Sequence, residues 1–175
     1  MTTDRIELSV SGDAEERLGA KVARMANAIC GDATSNGDRA ALKRWAPGQP
    51  IPLVFHRLWL RFVSDELPNE AANGAWMFVA WGLAMMGTQA HRPNQALGRA
   101  LAEAGLASSR LERLLDAPAD VLPDLFSAAV RHLTSKTEGF DWSEAAELLL
   151  ARSAPAHESI RRRIAVAYYR HQPKE

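Results

Sequence analysis

The sequence predicts an all-α fold, about eight or nine helices in two adjoining helical bundles. Apolar residues recur at spacings of three and four along most of the chain, the period of a helix with one buried face. Helix caps and breakers, chiefly Ser, Asp, Gly and Pro, punctuate the ends of those runs. Strand-like alternation occurs once, as Ile6, Leu8 and Val10 in DRIELSV, and one such run cannot make a sheet. That stretch is an extended arm or the misread start of a helix.

From Asp13 the period is helical, with Leu18, Val22, Met25 and Ile29 forming one stripe. Asp13 with Glu16 has the form of a capping pair. Arg17, Lys21 and Arg24 follow the same rhythm one position earlier, which sets a basic stripe about 100° away from the apolar one. GDATSNGD is a loop by its turn chemistry, and Asp38 is placed to cap a short helix through Trp45. Pro47, Gly48, Pro50 and Pro52 stop that helix and begin the next, residues 53–63, which turns Phe55, Leu58, Trp59 and Phe62 inward and Arg57 and Arg61 outward. Pro68 closes it.

Residues 75–87, AWMFVAWGLAMMG, are apolar all round. As a helix they reach about 20 Å, short of the roughly 30 Å hydrocarbon layer, so they predict a buried central helix and no membrane span. Beyond the break at His91, Arg92 and Pro93, five further helices are legible. Leu97, Leu101 and Ala104 form one stripe, closed by Gly105 as a left-handed cap. Ser109 with Glu112 reads as a capping box for a helix through Leu111, Leu114 and Leu115. Pro123 lies in the first turn of a helix carrying Phe126, Ala129 and Leu133, and Asp141 with Glu144 caps a helix carrying Trp142, Ala146 and Leu149. The last helix, residues 160–171, opens on Arg161, Arg162 and Arg163, where cations oppose the helix dipole and call for an external anion or an acidic partner surface. The predicted division is an N-terminal lobe over 1–90 around the central apolar helix and a C-terminal lobe over 91–175. The two form one compact unit with the seam at 90–93.

The chain has 175 residues and is 47% hydrophobic, enough for a sizeable core. Lys+Arg and Asp+Glu are equal at 21 each, which excludes a polycation whose whole surface binds nucleic acid; any anion site must come from arrangement. Of the basic residues 17 are Arg and 4 are Lys, a preference that suits phosphate and base recognition. Between Arg39 and Arg61 there is no carboxylate. The single Cys30 excludes an internal disulfide, and TTDRIELS lacks the apolar core of a signal peptide, so a cytoplasmic location is expected.

No catalytic constellation is visible. His56, His91, His132, His157 and His171 fall on separate elements without zinc-ligand spacing, and Cys30 ends an apolar stripe as a small buried hydrophobe. No GxSxG or lysine-bearing phosphate loop occurs. The expectation is a protein that is not an enzyme, with no catalytic residue, cofactor or metal. The candidate binding residues are the cations Arg17, Lys21, Arg24, Arg39, Lys43, Arg44, Arg57, Arg61, Arg110, Arg113, Arg131 and Lys136.

In order and spacing, GDRAALKRW, the Trp-rich helix, NQALGRALAEAGLASSRLERLLDA, LPDLFSAAVRHL, GFDW and RRRIAVAYYR resemble the small subunit, CasB type, of the type I-E CRISPR surveillance complex Cascade. The resemblance runs from Gly37 to Arg170. It implies an all-helical, non-catalytic subunit present in two copies beside the guide RNA, in contact with the backbone and large subunits. It also implies a basic surface along the displaced strand of the target DNA that stabilises the R-loop in antiviral defence. Arg39, Lys43 and Arg44 match the family's basic block in position. Arg110, Arg131 and Lys136 are placed on the strand by position alone, whereas His91, Arg92, Arg99 and the Arg161–Arg163 run are open to protein partners. The alternatives are a structural adaptor that binds neighbouring subunits without nucleic acid, a small-molecule binder with a cavity beside Trp76 and Met85, and an enzyme whose groups converge only in space.

Overall fold

The computed structural model describes the backbone of residues 4–174 and the side chains of residues 17–174. Among them are nine α-helices: α1 (Asp4–Cys30), α2 (Asn36–Lys43), α3 (Leu53–Phe62), α4 (Glu70–Met86), α5 (Leu97–Glu103), α6 (Ser108–Leu115), α7 (Leu122–Ser135), α8 (Trp142–Leu150) and α9 (Ala154–His171), with one 3-10 turn at Gly87–Gln89. No strand occurs among the described residues; His91 and Phe140 form one isolated bridge.

The molecule is assembled around α4. Every residue from Trp76 to Ala84 is buried, and α4 packs against α1, α2, α7 and α8. Its apolar surface therefore has a helix on each flank, which is why it needs no polar face. Asn69 caps α4, its side chain accepting from Ala72 N–H at 2.9 Å, so the helix starts earlier than the apolar run suggests. Gly82 lies under the ring of Trp142, where a Cβ would overlap the indole. Gly98 on α5 likewise faces the carbonyl of Ile164 on α9 with no room for a side chain, and these two helices form the most intimate pair in the molecule. One continuous core joins residues from α1 through α9.

Several local expectations are corrected. DRIELSV is the start of a helix, the second of its two readings, and not an extended arm: it forms the first turns of α1, and with no partner strand among the described residues its backbone groups are satisfied by helical pairing. Asp13 is therefore internal to α1 and not its cap, and the side chains of Asp13 and Glu16 lie outside the described residues. Ser35 caps α2 by accepting from Asp38 N–H at 3.1 Å, so Asp38 belongs to the first turn. The α6 cap position is Ala107, with no side-chain cap; the Ser109 and Glu112 box does not form, because both residues sit inside the helix. Asp141 does cap α8, accepting from Ser143 N–H at 2.9 Å, but Glu144 points away to α5. Helix α9 begins at Ala154, capped by Ser153, so Arg161, Arg162 and Arg163 lie well inside it and the dipole argument for an external anion falls. Gly105 has φ 74 and closes α5 as predicted: Leu106 N–H donates to Leu101 O at 3.0 Å and Gly105 N–H to Ala102 O at 3.0 Å, the Schellman pattern.

Candidate nucleic-acid interface

The α1–α2 junction decides what its cations can do. A helix leaves its last carbonyls without intrahelical donors, and here the next turn supplies them. The Thr34 hydroxyl donates to Ala28 O at 2.6 Å. The Arg39 guanidinium donates to Ile29 O at 2.7 Å, to Gly31 O, and to Asn36 Oδ1 at 3.1 Å. Arg39 is thus committed to closing α1. Lys43 and Arg44, one turn further along, are exposed and have no ion-pair partner among the described residues. Leu42 and Trp45, buried at 0% and 7% exposure, hold that end of α2 against the core, so the two cations stand on a rigid mount.

Helix α3 brings the next group. Arg57 pairs with Asp38 of α2 at 2.7 Å, an exposed contact of small energetic weight that nonetheless balances the charge of Arg57. Arg61 is exposed, with its guanidinium 5.1 Å from the Phe62 ring centroid. Arg24 donates to Val63 O at 3.1 Å, which ties the Arg17, Lys21 and Arg24 stripe of α1 to the end of α3 where Arg61 lies. Arg24 of α1 thus meets the end of α3, Arg39 of α2 the end of α1, and Arg57 of α3 the first turn of α2, so Arg39 and Arg57 are each engaged by partners within the chain.

The second group belongs to α6 and α7. Arg110 and Arg113 are exposed along a groove of about 330 Å³ between these helices, lined also by Leu106, Leu114, Leu125, Ala129 and His132. His132 places Nε2 2.8 Å from Ala104 O; a carbonyl only accepts, so Nε2 carries the hydrogen. Arg131 stands over the buried indole of Trp81, 5.7 Å from its centroid, and Lys136 is the exposed C-cap of α7. The two groups come from different helices, with α4 packed against members of both sets.

The terminal arginines are largely paired. Arg161 bonds Asp116, and Glu158 at 3.3 Å; Arg163 bonds Glu147 at 2.6 Å. Arg99 pairs with Glu103 at 2.7 Å and, by that hydrogen bond, holds its carboxyl below the usual range. No group of three potential metal ligands occurs among the described residues. Burial pushes the Cys30 thiol up to about 11, which leaves it protonated and a poor nucleophile at neutral pH. A cavity of about 500 Å³ is walled mainly by Ala, Gly and Pro; Trp76 and Met85 do not line it. Arg152 borders it but donates to Ala71 O. No described helix is long and apolar enough to cross a membrane.

Sequence reasoning passed over Leu53, 82% exposed, and Leu60, 46% exposed. Their spacing of seven, on the face that also carries Arg57 and Arg61, was the available signal.

A profile of the family described as CRISPR-associated protein Cse2 matches residues 38–169. The chain belongs to the Cse2 family. It is thereby a small subunit of the type I-E Cascade complex, as the sequence resemblance implied. Among solved structures, the crystal structure of M. ruber CasB superposes with a TM-score of 0.63 at 22% identity, covering 88% of this chain and 93% of that chain. At that identity the two share a fold. No curated protein matches this Cse2-family chain.

Proposed function

We propose that this Cse2-family subunit holds single-stranded nucleic acid by its phosphates, beside the guide RNA and target DNA. It would stabilise the R-loop by retaining the displaced strand, in two copies against the backbone and large subunits. The observation that carries this reading is the contrast between neighbours on α2 and α3: Arg39 and Arg57 have partners within the chain, while Lys43, Arg44 and Arg61 are exposed with no carboxylate partner among the described residues. Arg17, Lys21 and Arg24 add the α1 stripe. Arg110, Arg113, Arg131 and Lys136 make a second set on α6 and α7.

The mechanism is electrostatic and requires no catalytic residue. A positive surface holds a strand without reading its bases. R-loop exchange is nearly balanced in base-pairing energy, so a few phosphate contacts suffice to bias it, and confinement within the complex raises the effective strand concentration. If about four phosphates are neutralised, affinity falls by roughly 2.8 log units per tenfold rise in salt, at roughly −0.7 per phosphate. Gel shifts with single- and double-stranded DNA and RNA across a salt series test this. Sequence-independent, salt-sensitive binding that drops in Lys43→Glu/Arg44→Glu supports it; no single-strand binding at low salt refutes it.

A second reading, the adaptor that binds only neighbouring subunits, is favoured by the exposed leucines Leu53 and Leu60. It predicts silence in the same gel shifts and loss of assembly in Leu53→Asp.

A further inference from the structure

The cavity between α4, the α6–α7 link and the start of α9 is lined by none of the cations assigned to the strand. At about 500 Å³ it falls within the size range of small-molecule sites, roughly 300–1,000 Å³. Phe78 of α4, Leu122 of α7 and Leu148 of α8 line it and are buried, so its inner wall is apolar. Pro118 and Pro123 line it as well, and their fixed φ angles stiffen the turns that carry them. The space is therefore formed before any ligand arrives.

Its charge is of one sign. Arg152 and His157 line it, and no Asp or Glu does. Arg152 reaches from the α8–α9 link to α4, where its guanidinium donates to Ala71 O. Ala71 lines the cavity too, so this bond holds the guanidinium at the wall with most of its N–H donors unengaged. Arg152 has no ion pair, and the His157 ring no hydrogen-bond or ion-pair partner, among the described residues. Ser153 is already committed, its hydroxyl accepting from Ala156 N–H at 3.2 Å to cap α9. A guanidinium held in place beside an apolar wall, with no acid lining the cavity to neutralise it, matches a planar carboxylate carried on an apolar body.

We propose that this cavity binds a small monocarboxylate with an apolar body, the carboxylate on Arg152 and His157 and the body against Phe78, Leu122 and Leu148. Charge selects the head group, and apolar contact selects the rest. The site goes beyond the strand reading and shares no cation with it.

Isothermal titration of the full chain with naphthylacetate, phenylbutyrate and octanoate tests it, each acid set against its own amide. At least one acid is expected to bind, and to bind about tenfold or more tighter than its amide. Arg152→Met should remove that difference; Arg152 is exposed, so the variant keeps its core. Gly74→Leu should abolish binding of acid and amide alike, because Gly74 lines the cavity and a Cβ there meets nothing within 4 Å, which leaves the leucine room to fill the space. No binding of any of the three acids at millimolar concentration, amides that bind as tightly as the acids, or unchanged affinities in Arg152→Met would overturn the proposal. So would displacement of the acid by an equal concentration of inorganic phosphate, which would make the site a bare anion patch, or by an oligothymidylate, which would assign the cavity to nucleic acid. Lys43→Glu/Arg44→Glu should bind the acid as the wild type does, so failure of the strand reading and failure of this one show in different variants.

Discussion

Glu144 of α8 accepts a hydrogen bond at 2.6 Å from the backbone N–H of Leu97, the first residue of α5. The α5 cap position is Ala96, which has no side-chain acceptor, so a carboxylate 47 positions away in sequence does the work that a neighbouring Ser or Asp does at other helix starts. Negative charge there also complements the α5 dipole.

Replacing Glu144 by Ala should cost about 1–2 kcal/mol, measured by urea unfolding, because a buried donor loses its acceptor. Burial holds the Glu144 carboxyl above its ordinary value of 4.5, with the Leu97 N–H pulling the other way. A raised folded value means the stabilisation linked to this proton is full below about pH 4.5 and is lost as pH rises through the folded value. Glu144→Gln keeps an acceptor without the titration. Its stability relative to wild type should therefore increase with pH over that window, and a flat difference would count against the assignment.

His91 gives a pH dependence of opposite sign. Its Nδ1 accepts from Trp142 N–H at 3.2 Å, at the start of α8, which requires an unprotonated nitrogen. Burial holds the imidazole below its ordinary 6.5, opposed by Asp141. The stabilisation is complete above about pH 6.5 and is lost as pH falls through the lowered folded value. Thermal melts from pH 7 to pH 5 should show this loss in the wild type and a shallower slope in His91→Gln.

Arg39 and its neighbours separate structure from binding. Arg39→Ala should destabilise by about 1.5–3 kcal/mol, since the carbonyls of Ile29 and Gly31 lose a charged donor. Lys43→Glu/Arg44→Glu should stay within about 0.5 kcal/mol of wild type and lower single-strand affinity. Circular dichroism melts paired with gel shifts on both variants check the division; equal melting points would remove Arg39 from its capping role.

Gly98→Ala places a methyl group against the Ile164 carbonyl, and that neighbour is backbone of α9, which cannot rotate aside. A cost of about 1–3 kcal/mol follows from forcing the helices apart. Gly74→Ala, where a Cβ meets nothing within 4 Å, is the control and should be neutral or mildly stabilising. Parallel urea titrations of the two variants decide it.

Most helices were legible because helix formation and burial of one face are local and periodic properties. Leu97, Leu101 and Ala104 announced α5, and Gly105 its end. Where the reading slipped, the competing choices were nearly equivalent locally. Ser35 and Asp38 are both good caps, and the geometry of the α1–α2 turn selected Ser35. Helix α9 begins earlier than its apolar stripe, because Ser153 caps a first turn of Ala and Pro residues that carries no periodic signal.

The sequence by itself determined an all-helical chain around one apolar helix, with unpaired basic charge available somewhere between α1 and α3. The tertiary structure alone decided which cations those are. An arginine side chain is long enough to find a partner wherever the fold brings one near. Arg39 caps the helix before its own, Arg57 finds Asp38, and Arg161 finds Asp116 across 45 positions. Such partners are set by distances in space, which spacing along the chain does not encode.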